Sequence, residues 1–453
     1  MSSTDNPICQ SKLSNGTSWI WIERLQKVSG LKDPFFSGLI GLIIFFIYFI
    51  TSIYSDNEMY NVIIAAFQVA GLQRTITESD IWNPSFLSTM GQVASSITIA
   101  YLISVILCLV HILKDIPALA NISAEIKSKK CLDKSSSVQL SKLKYRLKDG
   151  NFSSSEEIPN DNSEPSIVDD ILFELKSKFS NKLRYYSLIF LILISFIIMD
   201  IWFFIVRPDN KGYLAPENQM NFIKYLCDNF ITYFMEYLIA IIIWIIINIY
   251  SAFKWLSAGE YRQYILIDPF SIDGIGGLGK ARDSTKRIAI CYFTCLTLAI
   301  ITYTIPLMTV IHKPNLTIYL AQKILYLEQI FAYIILLIIG LYFIYNTYFE
   351  IKNIFKSYLL EKISIISKIQ DQLRANLHMK CSEINKNANS GEIKDLSSAL
   401  ELVDNDKENL IQIAKKSYSL STIATIMGSF VGSLIIPILS MIQLIQGILQ
   451  KPH

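Results

Sequence analysis

An all-α, polytopic membrane protein is the fold class that the sequence predicts, and three observations predict it. Seven apolar stretches, 36–54, 91–112, 185–206, 230–253, 288–311, 326–347 and 421–446, recur along the chain. Each has the length a helix needs to cross a bilayer core, roughly 20 residues at about 1.5 Å per residue. The 453 residues are 52% hydrophobic and only 17% charged, where a soluble chain carries about a quarter charged residues. All 41 Lys and Arg lie between the stretches and none within them. Strands of a membrane barrel would be about 10 residues long with strict alternation, and no such run occurs. No small-residue cleavage site follows the first stretch, so it reads as a span and not as a leader.

The basic residues also predict an orientation, because Lys and Arg collect on the cytoplasmic side of membrane proteins. With the N-terminus inside, segments 1–35, 113–184, 254–287 and 348–416 hold 34 of the 41, and segments 55–90, 207–229, 312–325 and 447–453 hold 7. A cytoplasmic N-terminus and an outer C-terminus are therefore expected, in a plasma or cell membrane. The net charge of +3 is explained by this topology, and nucleic acid is not expected as a partner. Of seven cysteines only Cys227 falls in an outer loop, which excludes an external disulfide framework. Cys291 and Cys295 are one turn apart, but no His flanks them, so packing is the better reading than a metal site.

Residues 1–35 form a cytosolic N-terminal segment that gains Trp19, Trp21, Ile22 and Leu25, the composition of an interfacial helix. Asp33-Pro34 marks a break before span one. Residues 36–347 hold spans one to six. Within them, 131–168 is rich in Ser, Asp, Glu, Asn and Pro, too polar to fold alone, and is expected to be a disordered cytosolic insert. Helical character resumes at Ile171–Lys182.

Spans three, four and six carry Asp200, Glu236 and Glu328. A charge at the bilayer centre costs about 2.5–3.5 kcal/mol on insertion scales, so such residues face protein or water. All three lie toward the outer side in the expected orientation. They are either solvated at the interface or form an acidic outer vestibule that concentrates cations.

Gly274–Lys280 has the spacing of a phosphate-binding loop, but Ala281 replaces the magnesium-binding hydroxyl and no strand precedes it. A tight glycine-rich turn is the better reading. This stretch is similar to the Pro-Asp-Gly-Gly-Leu turns of a group of prokaryotic membrane proteins, over about a dozen residues, a likeness that implies no activity.

From Leu341 to Ser390 there is neither Pro nor Gly, so span six is expected to continue far past the membrane as one helix. Residues 348–416 form the cytosolic helical anchor region. Its first helix carries the stripe Ile351, Phe355, Leu359, Ile366, Ile369, Leu373 and Leu377, a turn is expected at Asn387–Gly391, and a second helix carries Ile393, Leu396, Leu400, Val403, Leu410 and Ala414 at near-heptad spacing.

The last segment, 417–453, holds the final span. Thr422, Thr425, Ser429, Gly432, Ser433, Ser440 and Gln443 recur at helical steps and share one face, interrupted by Ile436, which precedes Pro437. A membrane helix with such a stripe either packs tightly on neighbours or lines water. Read as a pore, the stripe is the water path, Gln443 lies near its outer mouth, and Ile436 closes it by dewetting.

Seven spans with the N-terminus inside, long helices before the last span, and a polar last span broken by one Ile together resemble the seven-span ion channels typified by insect odorant and gustatory receptors. The likeness covers most of the chain as architecture. Of the Thr-Tyr…Gln-Phe pattern of those receptors only Ser417-Tyr418 has a near match, so no residue is carried over by motif. The resemblance implies a homotetramer with a shared cytosolic anchor, a final span lining the pore, inorganic cations as permeant partners, and a small-molecule pocket among spans one to six. A secondary transporter is the less favoured class, because no internal repeat is detectable. A non-transporting sensor or scaffold would instead use the cytosolic helices to recruit a partner. An enzyme is not expected: His111, His312, His378 and His453 are scattered, and no HExxH, GxSG or GxGD occurs. No cofactor is called for.

Overall fold

A computed structural model describes residues 20–55, 84–122, 167–179, 219–258, 262, 264–269, 271, 273, 275–311, 316–383, 390–416 and 420–449. The described residues form helices and no strand: α1 (Trp21–Ser29), α2 (Asp33–Ser55), α3 (Pro84–Lys114), α4 (Ile116–Leu119), α5 (Ile167–Phe179), α6 (Gln219–Ala258), α7 (Gly279–Ile311), α8 (Leu316–Glu383), α9 (Ser390–Lys416) and α10 (Leu420–Leu449). Six of them are long and apolar enough to cross a membrane: α2, α3, α6, α7, α8 and α10. They coincide with expected spans one, two, four, five, six and seven. The third span, at 185–206, and most of the 131–168 insert lie outside the described residues.

Helix α7 is the hub of the bundle. It packs on α3, α8 and α10; α3 also meets α2 and α6, and α6 meets α8. Contacts at the helix crossings set the directions. Thr98 and Thr302 share a buried hydroxyl–hydroxyl hydrogen bond of 3.0 Å, which runs α3 antiparallel to α7 together with the Asn121–Gly277 approach. Tyr250 meets Phe343, and the Ser257 hydroxyl donates to Glu350 at 2.8 Å, so α6 and α8 run parallel. Two crossings need glycine. A Cβ on Gly41 would lie 2.8 Å from the Ala100 Cβ, and one on Gly340 would lie 1.8 Å from the Tyr292 ring. Small residues bring membrane helices this close.

Two expected boundaries move. The break before α2 falls at Gly30, whose φ of 67° closes α1, and not at Asp33-Pro34. That pair begins α2 instead, since proline in a first turn lacks only an N–H with no helical partner. Gly391 lies within the first turn of α9, and the rest of the turn expected at Asn387–Gly391, apart from Ser390, lies outside the described residues.

Helix α8 runs unbroken for 68 residues, about 100 Å at 1.5 Å per residue, and α9 folds back along its far end. The seam follows Leu359, Ile363, Ile366, Gln370, Leu373 and Leu377 against Ile393, Leu396, Leu400, Val403, Lys407 and Leu410, both at alternating three- and four-residue steps. The expected stripe is corrected at one place. Ile369 is 42% exposed, and Gln370 is buried in the seam. Heptad spacing from Ile366 and Leu373 demands position 370, and glutamine is tolerated there because it is satisfied: its amide donates to Asp404 and its carbonyl accepts from Lys407 at 2.8 Å. One polar layer of this kind fixes coiled-coil register.

Candidate functional site

The candidate site is α10, and its covering by the rest of the protomer divides the polar stripe into three parts. Thr422, Ser433 and Ser440 are buried, Thr425, Ser429 and Ile436 are half-buried, and Gly432 is exposed. The side chain of Gln443 lies outside the described residues. At about 3.6 residues per turn this is one continuous arc that begins at the exposed edge of the helix and ends on its buried side, where Ser433 meets α7.

That contact is specific. Phe430 packs edge-on against Phe293 of α7 with ring centroids 5.7 Å apart. The Ser433 hydroxyl lies 3.2 Å from the Phe293 carbonyl and 2.8 Å from the Ser429 carbonyl of its own helix, so its one hydrogen is shared between acceptors on both sides. Thr425 donates to the Ser421 carbonyl at 2.8 Å. Buried Pro437 sits inside the helix. It has no N–H to give the Ser433 carbonyl one turn earlier, a local weakness in the helix ladder beside Ile436. The rest of the exposed face is apolar, with Val431, Ile435 and Leu439 each more than half exposed.

Of the three acids, Glu236 is in α6, 4% exposed and engaged by its surroundings. It therefore faces protein and not an open surface. Asp200 and the side chain of Glu328 lie outside the described residues. Near the same level as the Thr98–Thr302 bond, α3 contributes further buried polar side chains, Gln92, Ser95 and Ser96. The Ser95 and Ser96 hydroxyls donate to carbonyls one turn back in α3.

The glycine-rich stretch before α7 is a capped turn. Gly276 and Gly277 have φ of 71° and 87°. The backbone N–H groups of Ile275, Gly277 and Gly279 converge on the Asp273 carboxylate at 3.0, 3.1 and 2.6 Å. In a phosphate-binding loop such N–H groups cradle a phosphate; here the chain's own carboxylate fills them, while Lys280 points outward. Burial pulls the Asp273 carboxyl upward, but the bonds from Gly277, Ile275, Gly279 and Ser271 outweigh it and hold its pKa below the ordinary value. A depressed carboxylate adds stability above its unfolded pKa, near about 3.9, and that contribution is lost as pH falls through the folded value. Asp273→Ala should therefore deprotect the amides of Ile275, Gly277 and Gly279 in hydrogen exchange at neutral pH, costing about 1–3 kcal/mol. Wild-type protein should lose the same protection only on acidification below about pH 4. Unchanged exchange in the variant would show that the carboxylate does not hold the turn.

Among the described residues no cluster of His, Cys, Asp or Glu could hold a metal ion. Cys108, Cys291, Cys295 and Cys381 are free thiols, and His111 lies 3.3 Å from Asp33 in an exposed pair. Sequence reasoning missed three features: the Tyr292–Gly340 crossing, the Gln370 layer, and a buried carboxylate, Glu23, held by Lys114. Only the second had a local signal, the heptad gap shared by Gln370 and Lys407. No protein-family model matches the chain, and no curated protein or solved structure matches it.

Proposed function

We propose that the chain is a subunit of a cation channel of the ligand-gated type, a homotetramer with α10 around the pore axis. One observation carries this reading. Helix α10 combines a polar arc with the least covering of the six long apolar helices, 22% of its apolar window being buried against 67% for α6. A hydroxyl- and glycine-bearing edge left open by its own protomer gains most from facing water or a second copy. In the assembly Thr425, Ser429, Gly432 and Ile436 face the axis. Thr422, Ser433 and Ser440 hold the helix to its protomer and reach water when α10 turns about its own axis, for which Pro437 loosens the backbone. Asp200 and Glu328 form the acidic outer vestibule, and Glu236, which faces protein, is left out of it. Substituting both by Asn or Gln is expected to lower cation selectivity in planar-bilayer recordings; unchanged reversal potentials would end the vestibule.

The scaffold reading has one observation in its favour. The α8–α9 hairpin leaves Leu360, Met379 and Leu402 more than half exposed, apolar side chains that a partner could cover. Reconstituted protein that never conducts, with α10 sheathed in lipid, would favour it over the channel. In either reading the long α8 and α9 arms are cytosolic, as the basic residues between spans indicate.

A further inference from the structure

The elbow between α1 and α2 combines charge and apolar surface in a way the pore does not use. On α1 the single carboxylate, Glu23, is buried at 3% exposure and paired with Lys114 and Lys27. The charged side chains left exposed between residues 20 and 32 are Arg24, Lys27 and Lys32, all cationic. The nearest following acid, Asp33, is turned toward His111. Lys176 of α5 lies near Lys114 and Glu23. Burial, and then the Lys114 charge, push its ammonium pKa down, with Glu23 acting in the opposite sense. Arg24, Lys27 and Lys32, exposed with no exposed acid between residues 20 and 32, are a seat for an added anion.

Apolar side chains flank these cations. Val28 is 84% exposed and Phe35 is 69% exposed. Leu25 on α1 and Leu39 on α2 are exposed as well, and exposed apolar side chains continue along α2, a helix apolar enough to cross a membrane. A ligand that satisfies both halves has a negative head and a hydrocarbon tail. We propose that the elbow docks an anionic phospholipid, its phosphate on Arg24, Lys27 and Lys32 and its acyl chains along Leu25, Val28, Phe35 and Leu39. Basic side chains at a membrane surface each add attraction for anionic lipid, and an exposed apolar row supplies the seat for the chains.

The test uses the full chain purified in detergent, where membrane orientation plays no part. Phosphatidylglycerol and phosphatidylcholine with identical chains are added together and the bound lipids are counted by native mass spectrometry. Wild-type protein should retain phosphatidylglycerol over phosphatidylcholine by about tenfold or more. Arg24→Gln/Lys27→Gln/Lys32→Gln, all exposed positions whose change leaves the Glu23–Lys114 pair in place, should bring the ratio close to one. Leu25→Asn/Val28→Asn should weaken retention of both lipids. Equal retention by wild-type protein, or a triple variant that keeps the preference, overturns the proposal. So does soluble glycerol phosphate that displaces the lipid at equal concentration, because it would assign the cations to a free phosphate ester.

Discussion

Gly340→Ala is expected to destabilise the bundle by about 3 kcal/mol or more, the upper end of what overpacking costs. The added methyl would lie 1.8 Å from one carbon of the Tyr292 ring and 2.4 Å from another. Flexible side chains give way to such a contact, but this ring cannot. Tyr292 is 1% exposed, packs edge-on against Phe293, and its hydroxyl donates to the Leu336 carbonyl at 2.6 Å. Relief would have to come from moving α8 away from α7, which would also disturb the Phe293 surface that seats α10. The measurement is the melting temperature of the detergent-solubilised protein followed by size-exclusion chromatography. Tyr292→Leu removes the clashing ring atoms, so the double variant should recover part of the loss, a coupling that a double-mutant cycle isolates. Equal melting of Gly340→Ala and wild type would mean that α7 and α8 do not cross this closely.

Ile436→Ser is expected to produce current without stimulus. A narrow ring of isoleucine side chains excludes water and ions, and serine rehydrates it. Lowering that barrier by even about 1.4 kcal/mol raises the conducting population about tenfold, and a four-fold assembly changes four side chains at once. Ile436 is half-buried within the polar arc and packs in part against the core of its own protomer, so thermal stability is measured beside the current. Basal conductance at matched surface expression is the readout. A silent variant would remove Ile436 from the gate.

The six long apolar helices were legible in the sequence because length and apolarity decide them locally. Asp33–Ile50, Gly91–Lys114, Phe230–Ala258 and Ser421–Ile442 each coincide with a predicted stretch to within a few residues at most ends. The long α8 was legible because nothing between Leu341 and Ser390 breaks a helix. What could not be read was the rotation of each helix about its axis. The stripe on α10 is visible at helical spacing, but whether Ser433 turns toward α7 depends on Phe293, 140 residues earlier in the chain. A stripe assigned from apolarity alone likewise preferred Ile369 to Gln370, because the glutamine's partners, Asp404 and Lys407, come from another helix. The Asp273 turn was recognised as glycine-rich, but the carboxylate that closes it becomes visible only when three N–H groups are seen to converge. Glu23 follows the same rule: a lone acid in an amphipathic helix reads as solvated until Lys114 is placed beside it.

The most direct test of the pore is a density map of the full-length protein in lipid nanodiscs. Four copies around one axis, with Thr425, Ser429, Gly432 and Ile436 of each α10 facing a continuous central path, is the predicted result. A particle of a single copy, or an assembly in which α10 lies at the lipid rim with its exposed edge in hydrocarbon, would contradict it.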